Sequence, residues 1–220
     1  MLALYYAPGS AAIAPQAVME ELGLDYELRL LDRATRAQKA PDYLALNPSG
    51  RIPTLIDGDL TLFETGAILL HLIGAHPGAR PGAALAPAPG GRDHALFLQW
   101  LFHLTTTPQV TFHEYFYPER WAAGPEDEPR VRAAGIARLE ADFALLDQAV
   151  AGETSFLASG FSALDLHLAM LARWSRDMPR PMWTWPNLAR VIAAAAARPA
   201  FRRTLARQGL TWPEASPLAV

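Results

Sequence analysis

Two short segments of the sequence place polar groups where a small ligand can be held. Residues Asn47–Pro53 lead into a short apolar strand, and Glu64 and Thr65 open a helix after the next strand. The N–H groups of a helix N-terminus and a threonine hydroxyl suit a carboxylate, and a glutamate suits an ammonium group. Taken alone, Glu64 and Thr65 are better explained as helix caps, and Pro53 can be an ordinary proline at the start of a strand. Together, the two segments describe a pocket for one end of a small peptide-like ligand.

Ser10 and Tyr6 are the candidate reactive side chains, at the turn after the first predicted strand. A hydroxyl beside a bound sulfur stabilises the thiolate, and a helix N-terminus adds to this effect. Ser10 can instead be the N-cap of the helix that begins near Ala11, and Tyr6 can be a half-buried strand aromatic. The chain has no cysteine, so the thiol in such a reaction must arrive with the ligand.

Composition and charge narrow the possible partners. The 19 basic and 22 acidic residues give a net charge of -3, with no run of Lys and Arg that could follow nucleic acid. The longest apolar run, Val191 to Ala197, is far too short for a membrane span, and a cytoplasmic protein is expected. The histidines include no pair at i, i+4 spacing with an evident third ligand, so we predict no metal site.

The elements that must position these residues change character once along the chain. Up to about residue 76, a βαβαββα order is predicted, with strands at 2–6, 26–30, 54–56 and 60–63 and helices at 11–22, 41–46 and 64–76. Beyond the region rich in Pro, Gly and Ala, helices are predicted at 92–109, 128–150, 162–174, 187–198 and 200–208. We therefore expect an α/β plus all-α protein. A thioredoxin-like domain (1–78) and a linker (79–91) precede a helical bundle domain (92–220).

With these motifs the chain resembles the soluble glutathione transferases. The resemblance rests on the segments Tyr5–Ser10, Asn47–Ile56 and Phe63–Leu69, and it spans nearly the whole chain. It implies a cis peptide bond before Pro53, a backbone that holds the cysteinyl part of glutathione at Ile52, and an acid and hydroxyl pair that holds the γ-glutamyl end. The glutathione-binding residues predicted from it are Arg51, Ile52, Pro53, Glu64 and Thr65.

The classes of this family differ in the residue that activates the thiol. The catalytic serine of the delta class aligns with Ser10, and the tyrosine of the alpha, mu and pi classes aligns with Tyr6. The cysteine of the bacterial beta class falls at Ala11, so a beta-class cysteine mechanism is excluded at this position. We predict Ser10 as the first catalytic residue and Tyr6 as the second.

The second domain contributes a folding signal and a candidate pocket. Ser162 and Asp165 have the spacing of a capping box, which stabilises a helix and implies no chemistry. Aromatic, hydroxyl and amide groups in the first long helical region suit an apolar substrate, although aromatics at helical spacing are usually core. The residues predicted for this electrophile pocket are Thr106, Gln109, Phe112, His113 and Phe116.

The resemblance implies a homodimeric, detoxifying transferase with glutathione as co-substrate and a small hydrophobic electrophile as its second substrate. The predicted dimer interface comprises the helices at 64–76 and 92–109. Because alanines stand at positions 11 and 12, an alternative is a catalytically weak glutathione carrier or protein-interaction module with the same fold. A glutathione-dependent isomerase fits less well, because the Ser-Ser-Cys-like motif of that class is absent around Ser10.

Overall fold

The computed structural model describes residues 1–76 and 84–213 and divides the chain into two compact units. The first comprises residues 1–86 and 197–212, and the second contains residues 87–196. The predicted βαβαββα order of the N-terminal region is confirmed. Its elements are β1 (Leu2–Tyr6), α1 (Ile13–Leu22), β2 (Glu27–Leu30), α2 (Pro41–Leu46), β3 (Thr54–Asp57), β4 (Leu60–Phe63) and α3 (Thr65–Ala75).

A four-stranded mixed sheet in the order β2-β1-β3-β4 forms the centre of the first unit. Strand β1 runs parallel to β2 and antiparallel to β3, and β3 is antiparallel to β4. In register, Tyr5 lies opposite Thr54, which lies opposite Phe63. The segments that follow β1 and β4 and the segment that precedes β3 therefore meet at one edge of the sheet.

Helix α9 (Pro199–Arg207) packs against α1 in the first unit. The sequence analysis placed this helix in the C-terminal domain, whereas its contacts group it with the N-terminal one. Helix α9 buries Phe201 and Leu205, and charge pairs link it to α1. Arg203 and Arg207 bond the Glu20 carboxylate at 2.8 and 3.0 Å, and Arg198 forms a two-point pair with Glu21. Although burial opposes it, hydrogen bonds from Tyr26, Arg203 and Arg207 lower the pKa of Glu20. The exact domain boundaries stay a prediction.

The second unit consists of helices around a buried central one. They are α4 (Arg92–Thr106), α5 (Pro108–Phe116), α6 (Glu128–Ala149), α7 (Ala163–Trp174) and α8 (Pro186–Ala196). The predicted single helix at 92–109 is wrong at its end, because Pro108 has no N–H for the preceding turn and instead starts a new helix. The predicted linker lies partly outside the described residues, and residues 84–91 contain neither helix nor strand.

The predicted capping box at the start of α7 is confirmed. The Ser162 Oγ accepts a hydrogen bond from the Leu164 N–H at 3.3 Å, and the Asp165 carboxylate accepts one from the Ser162 N–H at 2.8 Å. Asp165 also accepts the Phe156 N–H at 2.6 Å, so it ties the preceding loop to the helix. Burial raises the pKa of Asp165 to about 6. Within residues 1–76 and 84–213, the helices are all too short or too polar to cross a bilayer.

Candidate active site

Three of the predicted site segments lie at the same edge of the sheet. Tyr5, Thr54 and Phe63 are neighbours across β1, β3 and β4 and form a row at this edge. Within a few residues of that row along the chain lie the Ser10 turn, the Ile52–Pro53 peptide and the Glu64–Thr65 step. The peptide bond between Ile52 and Pro53 is cis, as predicted. The sheet register thus brings together residues that are more than 50 positions apart in sequence.

Ser10 is partly exposed at the turn between β1 and α1. Its Oγ accepts hydrogen bonds from the N–H groups of Ala7 at 3.4 Å and Ala12 at 3.3 Å. Neither bond uses the hydroxyl hydrogen, which can therefore be donated to a ligand atom. Since α1 begins at Ile13 with Ala12 in the cap position, Ser10 is not the N-cap of this helix.

The turn that carries Ser10 is anchored by a residue near the far end of the chain. The Gly9 N–H donates to the Gln208 Oε1 at 3.1 Å, and the Gln208 amide donates to the Gln16 Oε1 at 2.7 Å. Gln16 is fully buried and Gln208 nearly so, so each of these bonds would leave a dehydrated group unpaired if it were lost. Sequence reasoning missed Gln208, because nothing in the local pattern connects it to Gly9.

Tyr6, the second catalytic candidate, ends β1 and is partly exposed. Successive side chains of a strand point to opposite faces, so Tyr6 lies on the face opposite to Tyr5. The Tyr5 ring packs edge-on against Tyr43 and its hydroxyl accepts a hydrogen bond from Arg29 at 3.3 Å. Tyr5 is therefore occupied by structural contacts on its own face of the sheet.

A buried hydrogen-bond network holds the segment before the cis proline. The Tyr43 hydroxyl and the Asn47 amide both donate to the Arg51 carbonyl, at 2.6 and 2.9 Å. Asn47 also donates to the Thr54 Oγ1 at 3.0 Å, and Thr54 lies 2.7 Å from the Tyr43 hydroxyl. Burial raises the pKa of Tyr43. These bonds fix the backbone on both sides of Ile52 and Pro53, whereas the Arg51 side chain is exposed. Asn47 and Thr54 belong to the motif quoted from the sequence, whereas the third member of this network, Tyr43, was not singled out there.

Gly50 completes this segment. Its φ of +58° favours glycine. A Cβ at this position would lie 2.9 Å from the Gln38 carbonyl and would also clash with the end of the Lys39 side chain. The tight approach explains why the Asn47–Pro53 segment contains a glycine here.

Glu64 and Thr65 form the third part of the edge. Glu64 is exposed, has the positive φ of +75° and makes no side-chain capping bond, so its role is not that of a simple helix cap. A non-glycine residue in this region costs about 1–3 kcal/mol and is found preferentially at functional sites. Thr65 is nearly buried as the first residue of α3. The N–H groups of the first helical turn suit an anion, and the Glu64 carboxylate suits a cation, so this step has both an anion-binding and a cation-binding component.

A separate cleft of about 330 Å³ adjoins the turn on the side of β2. It is lined by Ala7, Pro8 and the residues 30–34. Ile52, Glu64 and Thr65 are not among its lining residues, so we locate the candidate site from the sheet register and the polar groups and not from this cleft.

The residues predicted for the electrophile pocket belong to the second unit. Thr106 is exposed at the end of α4, and its hydroxyl donates to the Phe102 carbonyl at 2.8 Å. The other four residues fall at i, i+3, i+4 and i+7 along α5, which places them on one face of that helix. They are Gln109, Phe112, His113 and Phe116.

Phe112 is a correction to that set. Its side chain is fully buried and packs against Phe143 and Trp174, with ring centroids at 6.3 and 5.6 Å, and it stacks on Phe116. A side chain without exposed surface belongs to the core and does not line an open pocket. Gln109 accepts a hydrogen bond from the buried His167 at 2.7 Å, so its amide has a structural partner.

Comparison with known proteins identifies the family. The model of the glutathione S-transferase N-terminal domain matches residues 1–73. Glutathione S-transferase 3 of Zea mays is 35% identical over 228 residues, which cover 98% of each chain. Glutathione S-transferase GstA of Escherichia coli O157:H7 is 28% identical and covers 94% of this chain and 98% of that one.

A solved structure agrees with these relatives. A sphingomonad glutathione S-transferase in complex with glutathione superposes with a TM-score of 0.80 at 31% identity, covering 95% of this chain and all of the other. The identity to the Zea mays enzyme extends over nearly the full length of both chains, and the sheet edge contains the motifs on which the resemblance rested. This protein therefore belongs to the glutathione S-transferase family of enzymes.

Proposed function

We propose that this enzyme binds glutathione at the sheet edge of its first unit and conjugates the glutathione sulfur to a small apolar electrophile. The observation that carries the proposal is the convergence of three groups at that edge. They are the cis Ile52–Pro53 peptide, the Glu64–Thr65 step and a Ser10 hydroxyl whose hydrogen is available. The sphingomonad relative with bound glutathione supports the choice of ligand.

The roles follow from the chemistry of each group. The backbone of Ile52 would align the cysteinyl part of the tripeptide, because hydrogen bonds to the Arg51 carbonyl and to the Thr54 side chain hold the chain on both sides of it. Glu64 would pair with the γ-glutamyl ammonium group, and the α3 N-terminus with Thr65 would bind the adjacent carboxylate. The Arg51 side chain is exposed and would meet the outer part of the ligand.

The reaction needs a thiolate at neutral pH. A hydrogen bond from the Ser10 hydroxyl to the sulfur favours the charged form and lowers the thiol pKa, and the thiol proton leaves to solvent. The sulfur then attacks the electrophilic carbon, a C–S bond forms, and the bond to the leaving group breaks with its electron pair. Ser10 stabilises the thiolate in this scheme and does not need to act as a strong base.

The test is glutathione binding by calorimetry together with ultraviolet titration of the bound thiolate. Wild type is compared with Ser10→Ala and with Tyr6→Phe as the matched loss of a hydroxyl. We expect a bound-thiol pKa well below the ordinary value of about 8.5, raised in Ser10→Ala while binding persists and unchanged in Tyr6→Phe. A nitro-activated aryl chloride then serves as the first electrophile. Loss of the shift in Tyr6→Phe alone would assign the role to Tyr6, and tight binding without any shift would support the carrier alternative. No binding at all would refute the site.

We also propose that the protein is a homodimer with α3 and α4 as interface helices. Helix α3 buries Ile68, Leu69 and Leu72, yet its other face is also apolar and includes Leu70 and Ile73. A helix with apolar side chains on a second, partly exposed face usually has a further partner. Phe102 on α4 is 58% exposed. Sedimentation of wild type and a Phe102→Lys variant tests the interface, and a monomeric wild type would refute it.

Conjugation of apolar electrophiles would make this a detoxifying enzyme, and we propose a cytoplasmic location. The absence of cysteine suits a reducing compartment, since the fold does not depend on disulfides.

A further inference from the structure

Three potential metal ligands converge at the end of the sheet opposite to the glutathione edge. Asp57 ends β3, and its Oδ2 lies 2.8 Å from the Nε2 of His71 and 3.0 Å from the Nε2 of His76. The three ligand atoms all lie within 4.8 Å of one another. Asp57 and Thr54 are three residues apart on β3, so this cluster is about 10 Å from the row that leads to the active site.

We propose that Asp57, His71 and His76 bind one divalent transition-metal ion, for which Zn²⁺ is the best match. Two imidazoles and a carboxylate are a common ligand set for zinc, with the fourth position left to water or another ligand. Imidazole ligands also suit Cu²⁺ and Ni²⁺, whereas Mg²⁺ and Ca²⁺ prefer oxygen.

The distances fit such an ion after a small adjustment. Ligands of a tetrahedral zinc at about 2.0–2.1 Å lie about 3.3–3.4 Å from each other. The two observed contacts between imidazole and carboxylate are 2.8 and 3.0 Å, so these atoms need to separate by a few tenths of an ångström. The two imidazole nitrogens lie within 4.8 Å of each other, so a rotation of the side chains brings them to the same spacing. Side-chain exposures of 24 to 27% leave the cluster open to an entering ion.

The ligands are held by regular structure, which lowers the ordering cost of binding. Asp57 pairs with Leu2 and Leu60 within the sheet, and His71 lies inside α3. His76 directly follows α3, and its N–H donates to the Leu72 carbonyl at 3.1 Å. An ion at this point would cross-link the C-terminal end of α3 to the β3–β4 hairpin. It would stabilise the first unit and take no part in the transfer reaction.

This inference revises the prediction of no metal, which rested on the spacing of histidines along helices. His71 and His76 are five residues apart, and the third ligand, Asp57, comes from a strand and precedes them by 14 and 19 residues. The grouping depends on how α3 packs beside β3, which spacing within one helix does not show.

Calorimetric titration with Zn²⁺ and visible spectra with Co²⁺ test the site. The protein carries no histidine tag and is first treated with a chelator. We expect one ion per chain, the visible absorption bands of tetrahedral Co²⁺, and a thermal midpoint that rises with metal concentration because the ion binds only the folded state. The variants His71→Gln and Asp57→Asn should bind at least about tenfold more weakly, since even the loss of an outer partner has that effect.

His94→Gln, which removes a partly exposed histidine of the second unit, is the matched control and should bind as wild type does. Far-ultraviolet circular dichroism without metal establishes that the variants are folded. Equal affinity in wild type, His71→Gln and Asp57→Asn would overturn the assignment, and so would the absence of binding to wild type. Both results are independent of whether glutathione binds.

Discussion

His167 should destabilise the protein progressively as the pH falls below about 6.5. Its imidazole is fully buried on α7, where the Nε2–H donates to the Gln109 Oε1 at 2.7 Å. The Nδ1 has no hydrogen-bond partner among the described residues, so a proton there would be a buried and unpaired donor. Burial lowers the pKa of His167 from 6.5 to about 3. The folded protein therefore keeps this side chain neutral, whereas the unfolded chain protonates it.

The sign and size of the effect follow from proton linkage. Between about pH 6.5 and pH 3 the unfolded state binds one more proton than the folded state at this residue. The contribution of His167 to the free energy of unfolding therefore falls by about 1.4 kcal/mol for each pH unit of acidification, and by about 5 kcal/mol over the whole range. This contribution is comparable in size with the total stability of a folded protein, which is about 5–15 kcal/mol.

Asp165 acts in the opposite direction over part of the same range. Its folded pKa is raised to about 6 from 3.8, so between these values the folded state binds more protons and acidification stabilises it. In wild type the two contributions largely cancel between about pH 6 and pH 4. The contribution of His167 is therefore visible only when a His167→Gln variant is subtracted.

Urea unfolding of wild type and His167→Gln at pH 7.5, 6, 5 and 4, followed by tryptophan fluorescence, provides this comparison. The difference in unfolding free energy should change by about 1.4 kcal/mol per pH unit below pH 6.5, and a constant offset at pH 7.5 does not affect that slope. His94→Gln is the control and should differ little from wild type in slope. A difference that stays flat from pH 7.5 to pH 4 would refute the reasoning.

Three further predictions concern stability and the support of the active site. Gln208→Ala should lower the free energy of unfolding by about 1–3 kcal/mol and raise the thiol pKa of bound glutathione, because the Gly9 N–H and Gln16 lose a buried partner. Gln99→Ala, at an exposed position, is its control in urea unfolding and in thiolate titration. Equal behaviour of the two variants would contradict the anchoring role. Gly50→Ala should be more destabilising than Gly58→Ala. Both residues have positive φ, but only a Cβ at position 50 would meet other atoms. Equal free energies of unfolding in the two variants would show that the predicted clash does not occur. Asp165→Asn should lower the free energy of unfolding by about 2–4 kcal/mol, because hydrogen bonds at the start of α7 are lost. The kcat should be unchanged below the melting temperature. A large loss of kcat in the folded variant would contradict a purely structural role.

Local sequence patterns predicted the parts of the fold that are determined locally. The alternation of short strands and helices and the capping box at Ser162 both depend on residues a few positions apart. Pro108 is also a local signal, and the break between α4 and α5 was missed because the apolar pattern continues across it. For the candidate site, the motifs next to β1, β3 and β4 could be found in the sequence. That they lie close together follows only from the strand order and register of the sheet.

Long-range pairings could not be derived from the sequence in the same way. The acids of α1 and the arginines of α9 are visible in the printed chain, but their pairing across about 180 residues depends on the packing of the helices. The same holds for Gln208 at Gly9 and for Asp57 beside the two histidines. Phe112 was assigned to a pocket because an aromatic on an amphipathic helix has the same pattern in a core and in a binding site.

The return of α9 to the first unit sets the order in which this protein can be completed during synthesis. Residues 1–86 leave the ribosome early, yet the same unit also needs residues 197–212. At about 5–20 residues per second, the intervening segment takes roughly 5 to 20 s to translate. Throughout that interval Glu20 and Glu21 lack their arginine partners of α9, and the Gly9 turn lacks its bond to Gln208. A nascent chain therefore has the Ser10, Ile52–Pro53 and Glu64–Thr65 motifs before it has the contacts from residues 197–212 that support the first unit.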